Sequence, residues 1–301
     1  MLVTLIHNPK AGDGKVPNAG ALVELIRHAG HDVRYQSAKE EGWAAVLEAP
    51  TDLVAAAGGD GTVGRVARRM IGRGIAMTAI SLGTANNICR SLGLTDLSIA
   101  DQVAGWRTAR RTPLDAGVAV GAWGRRYFIE GLGIGLFPSL MAKGRREGPR
   151  RTADAQASVT SAVTSLRDYL RDQRAKRLRA TLDGADISGE YLLFEVMNMQ
   201  FVGPNLYLAP SGRPDDGLFD VVGVRRAQRK ALDAYLAEWE AGHQAPSQLP
   251  TVRGRQLLIS GGRHPVHIDD RMAPLVATGG DLTQPALEVT VLPKAVEFLV
   301  P

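Results

Sequence analysis

Between an apolar run at residues 52–57 and a helical stripe at Val63, Val66 and Met70 stand three glycines and one aspartate, Gly58-Gly-Asp-Gly61, followed by Thr62. A buried strand that ends in glycines and turns at once into a helix gathers backbone N–H groups and the positive end of that helix at one point, which suits a phosphate. Two glycines can also serve a plain tight turn, but Asp60 between them has no packing role that such a turn would supply. The same order of strand, turn and helix is written on either side. Residues 3–7 read as a strand, Asn8-Pro-Lys-Ala-Gly-Asp-Gly-Lys15 as a flexible cationic loop, and residues 19–28 as a helix with Leu22, Val23, Leu25 and Ile26 on its apolar stripe. Residues 32–36 are a short strand and 43–47 a short helix. Residues 75–82 are another strand, entering the polar turn Gly83-Thr-Ala-Asn-Asn87. A parallel sheet with ligand loops at its strand ends is the predicted architecture of this first part.

After Asp115 the rhythm becomes short β-rich runs, at residues 115–120, 127–132, 191–197, 218–224, 256–259, 266–268 and 287–292. That spacing predicts a mainly antiparallel, sandwich-like second domain. A helical insertion over about 153–180 interrupts it, with Val159, Val163, Leu166 and Leu170 at helical spacing, preceded by a basic loop at 143–151. The division is therefore residues 1–115 and 116–295.

Composition narrows the function classes. The chain has 301 residues and one cysteine, Cys89, so neither a disulfide scaffold nor a cysteine-rich zinc site is available, and a reducing compartment fits. No run approaches the roughly 18 apolar residues of a membrane span, and the first residues lack the pattern of a secretory leader. A net charge of +5 favours anionic partners, while 5% aromatic residues are thin material for base stacking, which argues against nucleic acid. Two familiar phosphate loops fail by the letters. Gly14-Lys15 is followed by Val16 and lacks the upstream glycine of a Walker loop. Gly59-x-Gly61-x-x-Gly64 has the dinucleotide spacing, but no Asp or Glu lies between Asp60 and Asp96 to take a ribose.

Four motifs in order carry a resemblance: Asn8-Pro with Gly12 and Gly14; Gly58-Gly-Asp-Gly-Thr62; Gly83-Thr-x-Asn86 with Arg90; and Ala209-Pro-x-x-x-x-Asp215-Asp-Gly-x-Phe-Asp220. Together they resemble the diacylglycerol kinase catalytic family, which includes sphingosine, ceramide and bacterial lipid kinases, and Gly131-Leu-Gly-Ile-Gly135 resembles its strand entering the second domain. The resemblance implies a phosphofructokinase-like α/β first domain, a β-sandwich-like second domain, and a last strand, 296–301, that returns to the first. It implies ATP and Mg²⁺ as cofactors, a lipid alcohol as substrate, and work at the inner face of the membrane as a peripheral cytoplasmic protein. Assembly is left open, a homodimer included. Mapped onto this sequence, Asn8, Gly12, Lys15, Gly58, Gly59, Asp60, Gly61, Thr62, Gly83, Thr84 and Asn86 would hold nucleotide phosphates. Asp216, with Asp215 and carbonyls of Arg213 and Leu218, would hold Mg²⁺. Asp269 would be the general base, with Asp60 organising phosphate and metal.

The chain departs from the pattern as well. Asp269-Asp-Arg271 stands where Asp-Gly-Glu is usual, and an arginine beside a carboxylate makes it a weaker base. Asn87, Gly64 and Ser81 replace Asp, Asn and Pro. NAD kinase, which shares the glycine cradle, and a non-catalytic nucleotide- or lipid-binding relative are the alternatives. The basic segments 143–151 and 171–179 read equally as contacts to anionic headgroups or as solvated faces. His31, His264 and His267 have no metal-ligand spacing and read as surface or structural.

Overall fold

The computed structural model describes residues 1–12, 16–147, 155–260, 263–276 and 285–300. The chain divides into two compact units, one built from Met1–Leu114 with Lys294–Pro301, the other from Asp115–Thr152 and Gln156–Pro293.

In the first unit β1 (Leu2–His7), α1 (Ala19–His28), β2 (Asp32–Ser37), β3 (Leu53–Gly58), α2 (Asp60–Met70), β4 (Ala76–Ser81), α3 (Asn87–Ser91) and α4 (Ile99–Gly105) follow in order. β2, β1, β3 and β4 are adjacent and parallel, and β3 is buried along its whole length, as a parallel strand covered on both faces must be. Its Leu53, Ala55 and Ala57 join Val3 and Leu5 of β1, Leu22 and Ile26 of α1, and Trp106 in one core. Asn18 starts α1 by accepting the Ala21 N–H at 3.0 Å, and Ser98 starts α4 by accepting that of Asp101 at 3.1 Å.

The second unit contains β5 (Arg110–Gly121), β6 (Gly124–Phe128), β7 (Gly131–Gly135), α5 (Leu136–Glu147), α6 (Ala155–Asp172), β8 (Lys176–Leu182), β9 (Ala185–Asp186), β10 (Gly189–Met197), β11 (Phe201–Val202), β12 (Leu206–Tyr207), β13 (Phe219–Arg225), α7 (Arg229–Glu240), β14 (Thr251–Gly254), β15 (Gln256–Ser260), β16 (Arg263–Ile268) and β17 (Arg271–Val276). β5 begins in the first unit. The final strand, β18 (Leu287–Val300), pairs antiparallel with β15 through Leu287–Thr290, and its Phe298 pairs in parallel with Met77 of β4, so the chain end does return to the first unit. The antiparallel order β17-β16-β7-β10-β8-β15 branches at β10, which also pairs with β13. One core lies among the strands, around Phe128, Phe194, Phe219 and Leu257. The other joins Leu136 and Phe137 of α5, Val163, Leu166 and Leu170 of α6, and Leu232, Leu236 and Trp239 of α7 to β10 and β13. Each of these large side chains contributes about 1.5–3 kcal/mol by leaving water.

Three expectations change. The helical insertion placed over about 153–180 ends at Asp172, and residues 176–182 are the strand β8 instead, because buried Leu178, Ala180 and Leu182 alternate with exposed Arg177 and Arg179. The basic segment starting at Lys143 is not a loop there, because α5 runs to Glu147, and residues 148–151 lie outside the described set. Leu136, Phe137 and Leu140 supply the apolar face that makes the segment helical, and Gly144 sits on its exposed side. Residues 43–48 form a 3₁₀ turn under Leu47 rather than an α-helix.

Candidate active site

Three turns at the carboxyl ends of β1, β3 and β4 meet in the first unit. Asn8, one residue past β1, donates from its side-chain amide to the buried Thr62 hydroxyl at 3.2 Å, while its own N–H reaches the Ala57 carbonyl at 2.9 Å. Its Oδ1 accepts the Lys10 N–H, which curls the loop back on itself. Gly12 lies close enough to the end of β4 that a Cβ there would stand 3.2 Å from the Leu82 carbonyl. Leu82 in turn donates its N–H to the Gly58 carbonyl at 3.0 Å. Lys15 lies outside the described residues.

The second and third turns touch backbone to backbone. A Cβ on Gly83 would lie 2.4 Å from the Cα of Gly59, so neither position admits a side chain without parting the turns. Asn86, at a left-handed φ of 56°, clamps the third turn: its Oδ1 accepts the Gly83 N–H at 2.8 Å and its Nδ2 donates to the Gly83 carbonyl at 2.7 Å. Thr84 stands exposed at the tip. Gly59 caps α2, its carbonyl accepting from Thr62 at 2.8 Å and Val63 at 3.1 Å, and leaves the first helical N–H groups, at Asp60 and Gly61, outside the intrahelical ladder.

Asp60 has a packing role that its local sequence does not show. Its Oδ1 accepts the Ile88 N–H at 3.0 Å, at the start of α3, so the carboxylate ties the second turn to the third. Burial pushes its carboxyl above the ordinary range, against the amide hydrogen bonds it takes from Ile88, Asn87 and Asn86. The result is a cradle of main-chain donors at the start of an eleven-residue helix, with Asn8 and Thr62 at its wall. Such a surface binds an anion through backbone N–H groups and the helix dipole.

In the second unit Asp269 occupies the turn between β16 and β17 at a left-handed φ of 49°. Its Oδ1 accepts the N–H groups of Ile129, Glu130 and Gly131 at 3.1, 2.9 and 3.3 Å, and Oδ2 stands 3.2 Å from that of Ile129. Proximity in sequence suggests Arg271 as its neighbour. Arg271 is exposed and approaches the Asp270 carboxylate at 4.0 Å.

Beneath Asp269 lies a pair that nothing in the sequence joins. His267 Nε2 is 2.7 Å from Glu195 Oε2, both buried, and His267 Nδ1 is 3.1 Å from the Asp269 carbonyl. Gly133 is the cross-strand partner of both residues, and a Cβ there would lie 1.9 Å from Glu195 Oε1, so the bare backbone of β7 is what lets the two side chains meet. Burial opposes a charge on His267, but the Glu195 carboxylate, together with the Asp269 carbonyl and carboxylate, outweighs it and holds the imidazole above its ordinary pKa, while burial raises the Glu195 carboxyl as well.

The residues expected to hold Mg²⁺ are gathered but already matched with cations. Arg253 contacts Asp216 through Nη2 and stands 3.4 Å from Asp220 through Nε. The other Asp216 oxygen accepts the Leu218 N–H at 3.1 Å, and Asp215 is held by Arg213 at 3.3 Å. Among the described residues no three His, Cys, Asp or Glu side chains converge as a metal site, and no helix is long and apolar enough to cross a membrane.

Both halves of the chain match known families. Residues 2–119 match the diacylglycerol kinase catalytic domain, and residues 145–300, more than half the chain, match the YegS C-terminal NAD kinase beta sandwich-like domain. A diacylglycerol kinase of Bacillus subtilis is 28% identical over 240 residues, covering 74% of this chain and 73% of its own length. A protein of Stenotrophomonas maltophilia named "Probable lipid kinase YegS-like" is 24% identical over 221 residues, covering 70% and 69%. Among solved structures, a diacylglycerol kinase of Bacillus anthracis superposes with a TM-score of 0.69 at 20% identity, over 99% of this chain and 96% of that one, which establishes the shared fold. The two matched regions, read with the motif order and the α/β and β-rich units, place the chain in the diacylglycerol kinase catalytic family of lipid kinases, phosphotransferases that act on an alcohol group.

Proposed function

We propose that this protein transfers the γ-phosphoryl group of MgATP to a hydroxyl of a diacylglycerol-like or sphingoid lipid. The observation that carries the reading is the convergence of the three turns around the start of α2, where Asn8 bonds Thr62, Gly59 lies against Gly83, Asn86 clamps Gly83, and Asp60 holds the Ile88 N–H. Phosphoryl transfer asks the protein mainly to position phosphates and neutralise charge, and a main-chain cradle supplies the positioning. In the step, the lipid hydroxyl oxygen bonds to the γ-phosphorus, the bond to the β–γ bridging oxygen breaks, ADP leaves, and Asp269 takes the hydroxyl proton. Mg²⁺ carried by the nucleotide would supply the charge neutralisation that phosphoryl transfer needs. The amides of Ile129, Glu130 and Gly131 hold the Asp269 carboxylate in one orientation. Exposed Arg171, Arg174, Arg177 and Arg179 support work at an anionic membrane face, at about 1 kcal/mol per residue near such a surface.

One observation favours a second reading, a nucleotide- or lipid-binding relative without turnover: the same three amides make Asp269 a structural cap as readily as a base. A single set of measurements separates the two. Purified full-length chain is given labelled ATP with diacylglycerol, sphingosine and NAD in separate reactions, and transfer to a lipid is expected. Asp269→Asn is expected to lower that transfer by about 10²–10⁴-fold, the usual contribution of a general base, with ATP affinity unchanged. ATP binding without transfer to any lipid, or an Asp269→Asn protein as active as the parent, defeats this kinase mechanism, and transfer to NAD redirects it.

A further inference from the structure

The Asp216 turn is where the resemblance implies a bound divalent cation, yet its oxygens face protein donors. The register of β13 and β14 sets Arg253 directly opposite Asp220, and the guanidinium extends past it to Asp216 in the turn before β13. Asp216 therefore has one oxygen on Arg253 and the other on the Leu218 amide, while Asp215 is engaged by Arg213. The main chain of the turn is fastened separately: the Gly217 N–H donates to Asp115 Oδ2 at 2.6 Å, and the Asp115 N–H donates to the Pro214 carbonyl at 2.6 Å. Magnesium demands oxygen ligands in near-octahedral array and keeps several waters. At this turn a metal ion would have to displace a guanidinium that forks between two carboxylates, one of them with a side chain only 2% exposed. The donor set does not fit the ion.

We propose that the Arg253 guanidinium is the resident cation of this turn, a covalently attached charge that holds residues 213–220 in place without a metal. Arginine suits the task because its planar fork presents several donors at fixed spacing and it carries its charge at every working pH. The proposal is independent of the kinase reading, since it concerns how a turn keeps its shape.

The test follows thermal unfolding of the full chain, without nucleotide, in EDTA, Mg²⁺ or Ca²⁺. The wild-type Tm is expected to be the same in all three. Arg253→Met is expected to lower Tm by several degrees, and Mg²⁺ or Ca²⁺ to restore part of that loss through the freed Asp216 and Asp220 carboxylates. Adding Asp216→Asn to that variant is expected to abolish the restoration. A saturable rise in wild-type Tm with Mg²⁺ that Asp216→Asn removes overturns the proposal. So does an Arg253→Met protein as stable as the parent, or one that neither cation restores. Should Arg253→Met fail to fold, the wild-type titration decides alone, read also as bound Mn²⁺ by electron paramagnetic resonance: none at the Asp216 turn supports the proposal, and a site lost in Asp216→Asn overturns it.

Discussion

Replacing Gly83 with alanine tests whether the contact between two turns builds the proposed nucleotide site. The added Cβ would lie 2.4 Å from the Gly59 Cα, 3.2 Å from the Gly59 nitrogen and 2.8 Å from Asn86 Oδ1. Ordinary contact begins near 3.4 Å, so the turns must part by about 1 Å, and the near atoms are main chain and cannot rotate away. Overpacking of this kind costs about 1–3 kcal/mol, and losing one Asn86 clamp bond adds about 0.5–1.5 kcal/mol. A displacement of 1 Å at a positioning element costs about 10²-fold in rate. The expected result is a fall of that order in kcat/KM for ATP, with a denaturation midpoint lowered in proportion. Gly105→Ala is the control, because no atom lies within 4 Å of a Cβ there, and it is expected to be neutral or stabilising by up to about 1 kcal/mol. A Gly83→Ala enzyme with wild-type ATP affinity and turnover would refute the claim that these turns form one surface.

Asp60→Ala removes the carboxylate that caps α3, and is expected to cost about 1–2 kcal/mol and to weaken ATP binding, as calorimetric titration would show; unchanged affinity would mean that the third turn holds itself. Removing one member of the buried His267–Glu195 pair is expected to cost about 3–5 kcal/mol, measured by urea unfolding of Glu195→Gln. Because His267 titrates above its unfolded value of about 6.5, the wild-type pair gives its full stability below that pH and loses it as pH rises through the folded value. Glu195→Gln should lack that alkaline decline, and an identical slope in both proteins would contradict the assignment.

What could be read from the sequence was local. Each strand, turn and helix of the first unit is encoded within about twenty residues, and the rule that ligands sit at the carboxyl ends of parallel strands brings Asn8, Gly59 and Gly83 together without coordinates. The partners of the carboxylates were not legible. Asp60 reaches Ile88, Arg253 reaches Asp216 and His267 reaches Glu195 across separations of 28, 37 and 72 residues. Those pairings depend on sheet register, and register is fixed by side chains that line the faces of neighbouring strands, which no single segment displays. Gly133 illustrates this: read alone it looks like a weak point in a strand, whereas its register makes it the opening through which Glu195 meets His267. The helical character of residues 143–147 was hidden for a simpler reason, since Gly144 and its basic neighbours outweigh Leu136, Phe137 and Leu140 in a pattern whose apolar half is short.

The pairing of Phe298 with Met77 sets an order of events during synthesis. The second unit, drawn from Asp115–Pro293, has all its strands once residue 293 has emerged from the ribosome, but the sheet bearing the turns after β1, β3 and β4 waits for the segment that begins at Lys294. Until then β4 presents an unpaired apolar edge, open to association with other nascent chains. Loss of the segment from Lys294 onward would therefore disturb first the unit that carries the turns after β1, β3 and β4, although every residue of those turns was made long before.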